Sequence, residues 1–396
     1  MKKECLTDLG RNIGRRLWPL VGALCVLLAA GCKKSDETPS GGGGGEIKIG
    51  EFASLTGKEA TFGVSSHEGT ALAVEQINAA GGVLGKKLKL LTEDDLSKAG
   101  EPATAVNKLI SRDGVVAVLG EVASSRSLEA APICQQSQIP MISPSSTNPK
   151  VTETGDYIFR VCFIDPFQGT VMANFASKTL KAKKVAIFKD VKSDYSIGLA
   201  KFFKEGFLAN SGQIVSELDY NGGDKDFKAQ LTEIKSAGPD AIFVPGYYTD
   251  VALICIQAKQ LNLTVPRFGG DGWESDQLVE IGKEAVEGTY FSTHYAPEED
   301  TPQSKSFVAS YGKKYSGKVP DAMAALGFDS VMILADAIKR AGATDGAKVR
   351  DALAATKDFA CATGLTSINS HRDATKPAVI LQVKGGKFKY VETVNP

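Results

Sequence analysis

The chain has 396 residues, with 46 basic and 46 acidic side chains and a formal net charge of zero. That balance supplies no basic surface for nucleic acid, and none is expected as a partner. The seven cysteines match no metal-ligand spacing, so neither a metal nor another cofactor is expected.

In chain order, Arg11, Arg15 and Arg16 precede an apolar run from Leu17 to Ala30, which closes on Leu28-Ala29-Ala30-Gly31-Cys32. Basic residues, a short apolar core and small side chains make an export signal. The alternative is a transmembrane anchor, but the run falls short of the roughly 20 residues a spanning helix needs. The small residues placed directly before Cys32 resemble a bacterial lipobox. That resemblance implies a lipoprotein signal peptide over 1–31, cleavage before Cys32 and a lipid on its thiol. Residues 33–45, KKSDETPSGGGGG, offer no apolar side chain to a core, so 32–45 is expected to be a flexible tether. Without 1–31, which hold five basic and two acidic side chains, the chain is slightly acidic. About 350 residues remain, enough for two domains.

Strands and helices then alternate. Ile47–Gly50 starts a strand, 69–80 has helical spacing, Lys87–Leu91 is a second strand, and 101–111 a helix. Strand 115–119, helix 128–136 and strand 140–143 follow. The series restarts with strand 185–188, helix 198–209, strand 213–218, helix 227–236 and strand 241–244. Continuous apolar strands between helices predict parallel sheets covered on both faces, and two such runs predict two α/β lobes. Ligands in such sheets sit beyond the carboxyl ends of the strands. Cys134 and Cys255 fall in helical patterns as small buried hydrophobes. Cys162 and Cys361 match no motif, and no disulfide is assigned.

The strand-end loops carry the chemistry. Ser54-Leu55-Thr56-Gly57-Lys58 has some likeness to a phosphate loop, but its glycine spacing is wrong and Glu59 stands where a magnesium-binding hydroxyl belongs. Gly120–Ser125 and Ser143–Thr147 place hydroxyls and free N–H groups at helix starts. They are either a seat for a carboxylate or ordinary helix caps. In the second run, Tyr195, Tyr247, Tyr248 and the turn Phe268–Trp273 around Asp271 combine an acid with aromatic faces. That combination suits an ammonium group; the plainer reading is a glycine-rich turn with packed tyrosines.

The segments IKIGEFASLTG, GTALAVEQINAAGGVLGKKLKLLTEDD, GEVASSRSLEAAPICQQSQIPMISPSSTNP and RVCFIDPFQG together resemble the periplasmic leucine/isoleucine/valine-binding proteins of ABC importers. The likeness runs from Glu46 to Pro396. It implies an α/β type I periplasmic-binding-protein fold, with two Rossmann-like lobes joined by three crossovers around a ligand cleft. Crossovers are expected near 161–165, 289–292 and 370–376. Lobe one then combines 46–162 with 291–372, and lobe two 163–290 with 373–396. Carried over position by position, Ser124, Ser145, Ser146 and Thr147 bind the ligand's α-carboxylate and part of its ammonium. Tyr195 and Tyr247 close from lobe two, with Tyr248 an adjacent candidate. Asp271 stands where the family commonly has Glu and pairs with the ammonium. Phe62 walls the ligand side chain, and Trp273 narrows the pocket. His67 heads the first helix, as a ligand contact, a helix cap or a solvent-facing side chain. The family's disulfide beside the carboxylate seat is absent, because its positions read Leu96 and Ala123.

The resemblance implies a monomeric, membrane-tethered lipoprotein of the periplasm, its anchor in the inner or the outer membrane. It captures an aliphatic or other hydrophobic L-amino acid and presents it to an inner-membrane ABC permease. Open alternatives are a binding protein or sensor of the same fold for another small solute, such as a small amide or an aromatic amino acid. His67, His294 and His371 form no recognisable triad motif, so no enzyme is expected.

Overall fold

Five parallel strands form the first sheet of the computed structural model, which describes residues 45–396. The expected signal peptide, the lipidation site Cys32 and all but the end of the tether lie outside the described residues. In chain order the strands are β1 (Ile47–Ala53), β2 (Leu88–Asp94), β3 (Val118–Leu119), β4 (Met141–Ser143) and β5 (Ile158–Arg160). Their spatial order is β2-β1-β3-β4-β5, so the direction of winding reverses between β1 and β3. Only Lys48 of β1 is exposed, as a strand covered on both faces requires.

The second sheet repeats this topology. Strands β6 (Lys184–Asp190), β7 (Gln213–Tyr220), β8 (Ala241–Phe243), β9 (Arg267–Gly269) and β10 (Tyr290–Thr293) run parallel in the order β7-β6-β8-β9-β10. The chain then builds a small antiparallel sheet of β11 (Phe359–Cys361), β12 (Gly364–Ile368) and β13 (Ala374–Thr375). It returns as the antiparallel hairpin β14 (Ala378–Val383) and β15 (Phe388–Val394), with β14 pairing to β10. Sheet membership therefore changes three times, after β5, after β10 and after β13. The second passage falls a few residues later than sequence predicts. Tyr290–Thr293 is still a strand of the second sheet, because it pairs with β9 on one side and β14 on the other.

Two helices, Ala60–Ala79 and Ala322–Ala341, cross on the first lobe. They approach through glycine: a Cβ on Gly69 would lie 1.8 Å from the Ala324 carbonyl oxygen, and one on Gly327 would lie 2.2 Å from that of Ser66. The first helix begins nine residues before its expected start, because Gly63, Ser65 and Ser66 are small enough to bury where their composition reads as loop. Ala322–Ala341 starts where the Asp321 carboxylate accepts the Ala324 N–H at 2.9 Å, and stops at Gly342 in the left-handed region (φ 62°). Among the described residues no helix is long and apolar enough to cross a membrane.

Candidate ligand-binding cleft

The loops leaving β3 and β4 in lobe one face those leaving β6, β8 and β9 in lobe two. Hydrogen bonds run directly from lobe to lobe. The Tyr248 hydroxyl donates to the Lys58 carbonyl at 2.9 Å, and Thr61 and Ser275 share a hydroxyl contact of 2.9 Å. Ser125 Oγ donates to Asp194 Oδ2 at 2.9 Å and accepts the Asp194 N–H at 3.0 Å. The lobes are in contact along the cleft.

On the lobe-one side, the loop 143–149 is held from below. Ser146 Oγ donates to the Glu121 carbonyl at 2.9 Å, and its N–H is accepted by Ser143 Oγ at the same distance. The fully buried Arg160 guanidinium donates to the carbonyls of Ser146 and Asn148. The Ser146 hydroxyl, N–H and carbonyl are thus all spent on the loop, so Ser146 offers a ligand no free donor. Ser124 Oγ accepts the Asn148 N–H at 3.2 Å. Thr147 Oγ1 is buried beside the Asp165 carboxylate. Ser145 Oγ lies 3.1 Å from His294 Nε2.

On the lobe-two side, Asp271 opens the short helical turn Asp271–Trp273 after β9 and is buried. Its Oδ1 accepts from Gln168 Nε2 at 2.7 Å, and its Oδ2 lies 3.1 Å from the same His294 Nε2 that meets Ser145. The Tyr195 hydroxyl accepts the Gly272 N–H at 3.1 Å. The Tyr195 and Tyr247 rings stack, with centroids 5.3 Å apart and planes at 4°. Phe62 crosses from lobe one to meet both Tyr247 (5.6 Å) and Tyr248 (4.8 Å) edge-on. Burial pushes the Tyr195 and Tyr247 phenols well above their ordinary range, so both stay neutral and keep a proton to donate.

The structure therefore brings together Phe62, Ser145, Tyr195, Tyr247, Tyr248 and Asp271, with Ser124 and Thr147 on the adjoining loop. Two candidates are engaged elsewhere. Trp273 is fully buried in the lobe-two core, with Nε1 donating to the Val244 carbonyl at 2.9 Å and the ring against Phe291, so it narrows no pocket. His67 Nδ1 lies 2.6 Å from Glu51 Oε2, within lobe one, and its partly exposed side chain neither caps a helix nor reaches Asp271.

Three residues that sequence reading passed over complete the group. Gln168 and Asp165 belong to the helix Asp165–Lys178, whose start is marked by Pro166 and an acid in the first turn. Asp165 is fully buried, with the Thr147 hydroxyl beside its carboxylate. Burial drives its carboxyl well above the usual range, and the charge of Asp271 adds to the shift. His294 directly follows β10, so the strand-end rule applied to the crossover would have marked it. Its ring lies on Phe163, centroids 3.9 Å apart. Serine, histidine and aspartate meet here, but both oxygens contact Nε2, whereas a proton relay needs them on opposite ring nitrogens. Among the described residues no group of three metal-ligating side chains could hold an ion.

Two doubly wound lobes, three passages between them and a cleft at the strand ends define a bilobed solute-binding protein. The periplasmic binding protein family model matches residues 46–387, and the chain belongs to that family. Within it the chain falls in the branch of the branched-chain amino-acid-binding proteins. It is 32% identical to a Leu/Ile/Val-binding protein homologue of Brucella melitensis, over 84% of this chain and 90% of that one. Its fold matches a leucine-binding protein of Thermotoga maritima with a TM-score of 0.86 at 43% identity, covering 88% of this chain and 99% of that one. It also matches the branched-chain amino acid transporter substrate-binding protein of Streptococcus pneumoniae, solved with isoleucine. There the TM-score is 0.84 at 36% identity, over 89% and 100% of the two chains.

Proposed function

We propose that this protein captures an aliphatic L-amino acid between its lobes and hands it to the permease of an ABC importer. The observation that carries the reading is the pairing of unlike chemistry across one cleft, hydroxyls on lobe one and the Asp271 carboxylate on lobe two, 3.1 Å on either side of one imidazole nitrogen. A zwitterion needs both halves. Ser124, Ser145 and Thr147, with the main chain at Ser145, take the α-carboxylate, and Asp271 takes the ammonium. Tyr195 and Tyr247 close over the head group. Charge-assisted hydrogen bonds contribute about 1.5–3 kcal/mol each where water is excluded.

Phe62, Tyr247 and Tyr248 offer apolar surface to the side chain. Burying a leucine-sized group contributes about 1.5–3 kcal/mol, but one methylene discriminates by only about 1–3 kcal/mol. The site therefore selects the head group more sharply than the tail. Binding and release without turnover account for the residues, since among the described residues no activated nucleophile with a base and an orienting acid is assembled. The same reading makes the protein a monomer of the periplasm, tethered through a lipid on Cys32.

The test is calorimetric titration of protein refolded free of ligand against the twenty amino acids and small amides. Saturable binding of leucine, isoleucine or valine, lost in Asp271→Ala, is the expected result. Absence of binding by any α-amino acid, or unchanged affinity in Asp271→Ala, overturns the reading.

A further inference from the structure

We infer that His294 is a positioning residue of the cleft: a neutral imidazole whose single proton, on Nε2, fixes both the Ser145 hydroxyl and the Asp271 carboxylate. The inference rests on the ligand assignment above for its binding consequences, but not for the position of the proton.

Two contacts and one missing contact decide where that proton is. Nε2 faces Asp271 Oδ2 and Ser145 Oγ, both at 3.1 Å. A bare Nε2 would set its lone pair against those of a carboxylate, so Nε2 carries the hydrogen. Nδ1 is buried and has no hydrogen-bond partner among the described residues. A proton there would leave a buried donor unsatisfied, which disfavours both the Nδ1–H tautomer and the imidazolium. Phe163 covers one face of the ring and offers Nδ1 no acceptor.

The consequence falls on the partners. Ser145 Oγ accepts from the imidazole, so its own hydrogen is turned outward and remains available to an anion. Asp271 spends one lone pair of Oδ1 on Gln168 and one of Oδ2 on His294. Its charge and its remaining lone pairs stay available to a cation. One imidazole at the second crossover thus makes Ser145 a donor, keeps Asp271 an acceptor and holds the two at a fixed separation across the lobes. This is the order of charges in an α-amino acid.

The experiment has two arms. Histidine-selective 15N labelling reads the ring nitrogens directly in the three-histidine chain, with the His294 signals assigned by their loss in His294→Gln. At neutral pH the expected pattern is a protonated Nε2 and a bare Nδ1. A bare Nε2 or a doubly protonated ring overturns the inference. In the second arm, His294→Gln keeps a side-chain N–H donor of similar reach, whereas His294→Leu keeps volume alone. Leucine affinity should fall at least about 10-fold in His294→Leu and return to within about 3-fold of the unaltered protein in His294→Gln. Equal losses in the two variants, or none in His294→Leu, overturn the positioning role. If the unaltered protein binds no amino acid, the ligand assignment fails instead, and the nitrogen shifts still decide the tautomer.

Discussion

Arg160 Nε lies 2.6 Å from Asp373 Oδ1, with the guanidinium wholly buried. Arg160 ends β5 in the first sheet, and Asp373 stands at the third passage between the lobes. The same guanidinium donates to the Asn148 carbonyl at 2.9 Å, and Thr152 Oγ1 donates to Asp373 Oδ1 at 2.8 Å. One buried ion pair thus ties the proposed carboxylate seat to a hinge segment. Removing one partner leaves a charge uncompensated, at a cost of about 3–5 kcal/mol. Arg160→Leu should lose stability on that scale in urea unfolding and bind ligand more weakly as the 145–149 loop loosens. A loss below about 1 kcal/mol would show that the pair contributes little.

Closure should be separable from head-group recognition. The Tyr248 hydroxyl reaches across the cleft to the Lys58 carbonyl, and its ring also packs edge-on against Phe62. Tyr248→Phe keeps the ring and deletes the bridge, whose net worth is about 0.5–1.5 kcal/mol. The dissociation constant should rise about 2- to 10-fold with the melting temperature unchanged. Small-angle scattering should show the ligand-free variant shifted toward an extended form. An unchanged dissociation constant would place this bond outside the closure energetics.

Much of this architecture is legible from sequence, for physical reasons that also mark where legibility ends. Buried parallel strands are continuous apolar runs, so β3, β4, β6 and β8 stand out, and the strand-end rule leads directly to Ser145, Tyr195 and Asp271. The front of the helix Ala60–Ala79 does not stand out, because Gly63, Ser65 and Ser66 are chosen for closeness to Ser54 and Gly327 in distant segments. Gln168 and His294 meet Asp271 from 103 and 23 residues away. No local pattern encodes those meetings. Trp273 follows Asp271 on a cleft loop, yet its indole N–H needs an acceptor and finds the Val244 carbonyl inside the lobe.

Cys134, Cys162, Cys255 and Cys361 are all free and buried. Burial pushes the Cys361 thiol up to about 12, so none of its population is the nucleophilic thiolate at neutral pH. A thiol reagent should leave these four untouched in the native protein and react with them only after denaturation. Reductant should not change the melting temperature. Rapid labelling of any of the four in the native state would contradict their burial.

Glu274 gives the fold a pH dependence of predictable sign. Its Oε1 accepts the Ala322 N–H at 3.1 Å, and its other oxygen accepts from Thr293 Oγ1. Burial pushes the carboxyl up to about 8 from an ordinary 4.5, and the charge of Asp321 adds to the shift. Between those values the folded chain holds a proton that the unfolded chain has released. Its contribution to stability is therefore complete below the unfolded value and is lost as pH rises through the folded one. Glu274→Gln keeps the shape and both contacts, since the amide oxygen can accept from Ala322 and the amide nitrogen can donate to Thr293. The unaltered protein should lose melting temperature between about pH 5 and about pH 8.5, and the variant should lose less and be the more stable of the two at the upper end. Glu274 belongs to lobe two, and Asp321, whose charge opposes its ionisation, heads the helix packed on lobe one, so the same proton favours closure. Ligand affinity should therefore weaken over that range in the unaltered protein and change less in Glu274→Gln. Parallel melting curves for the two proteins would show that Glu274 holds no proton in the folded state.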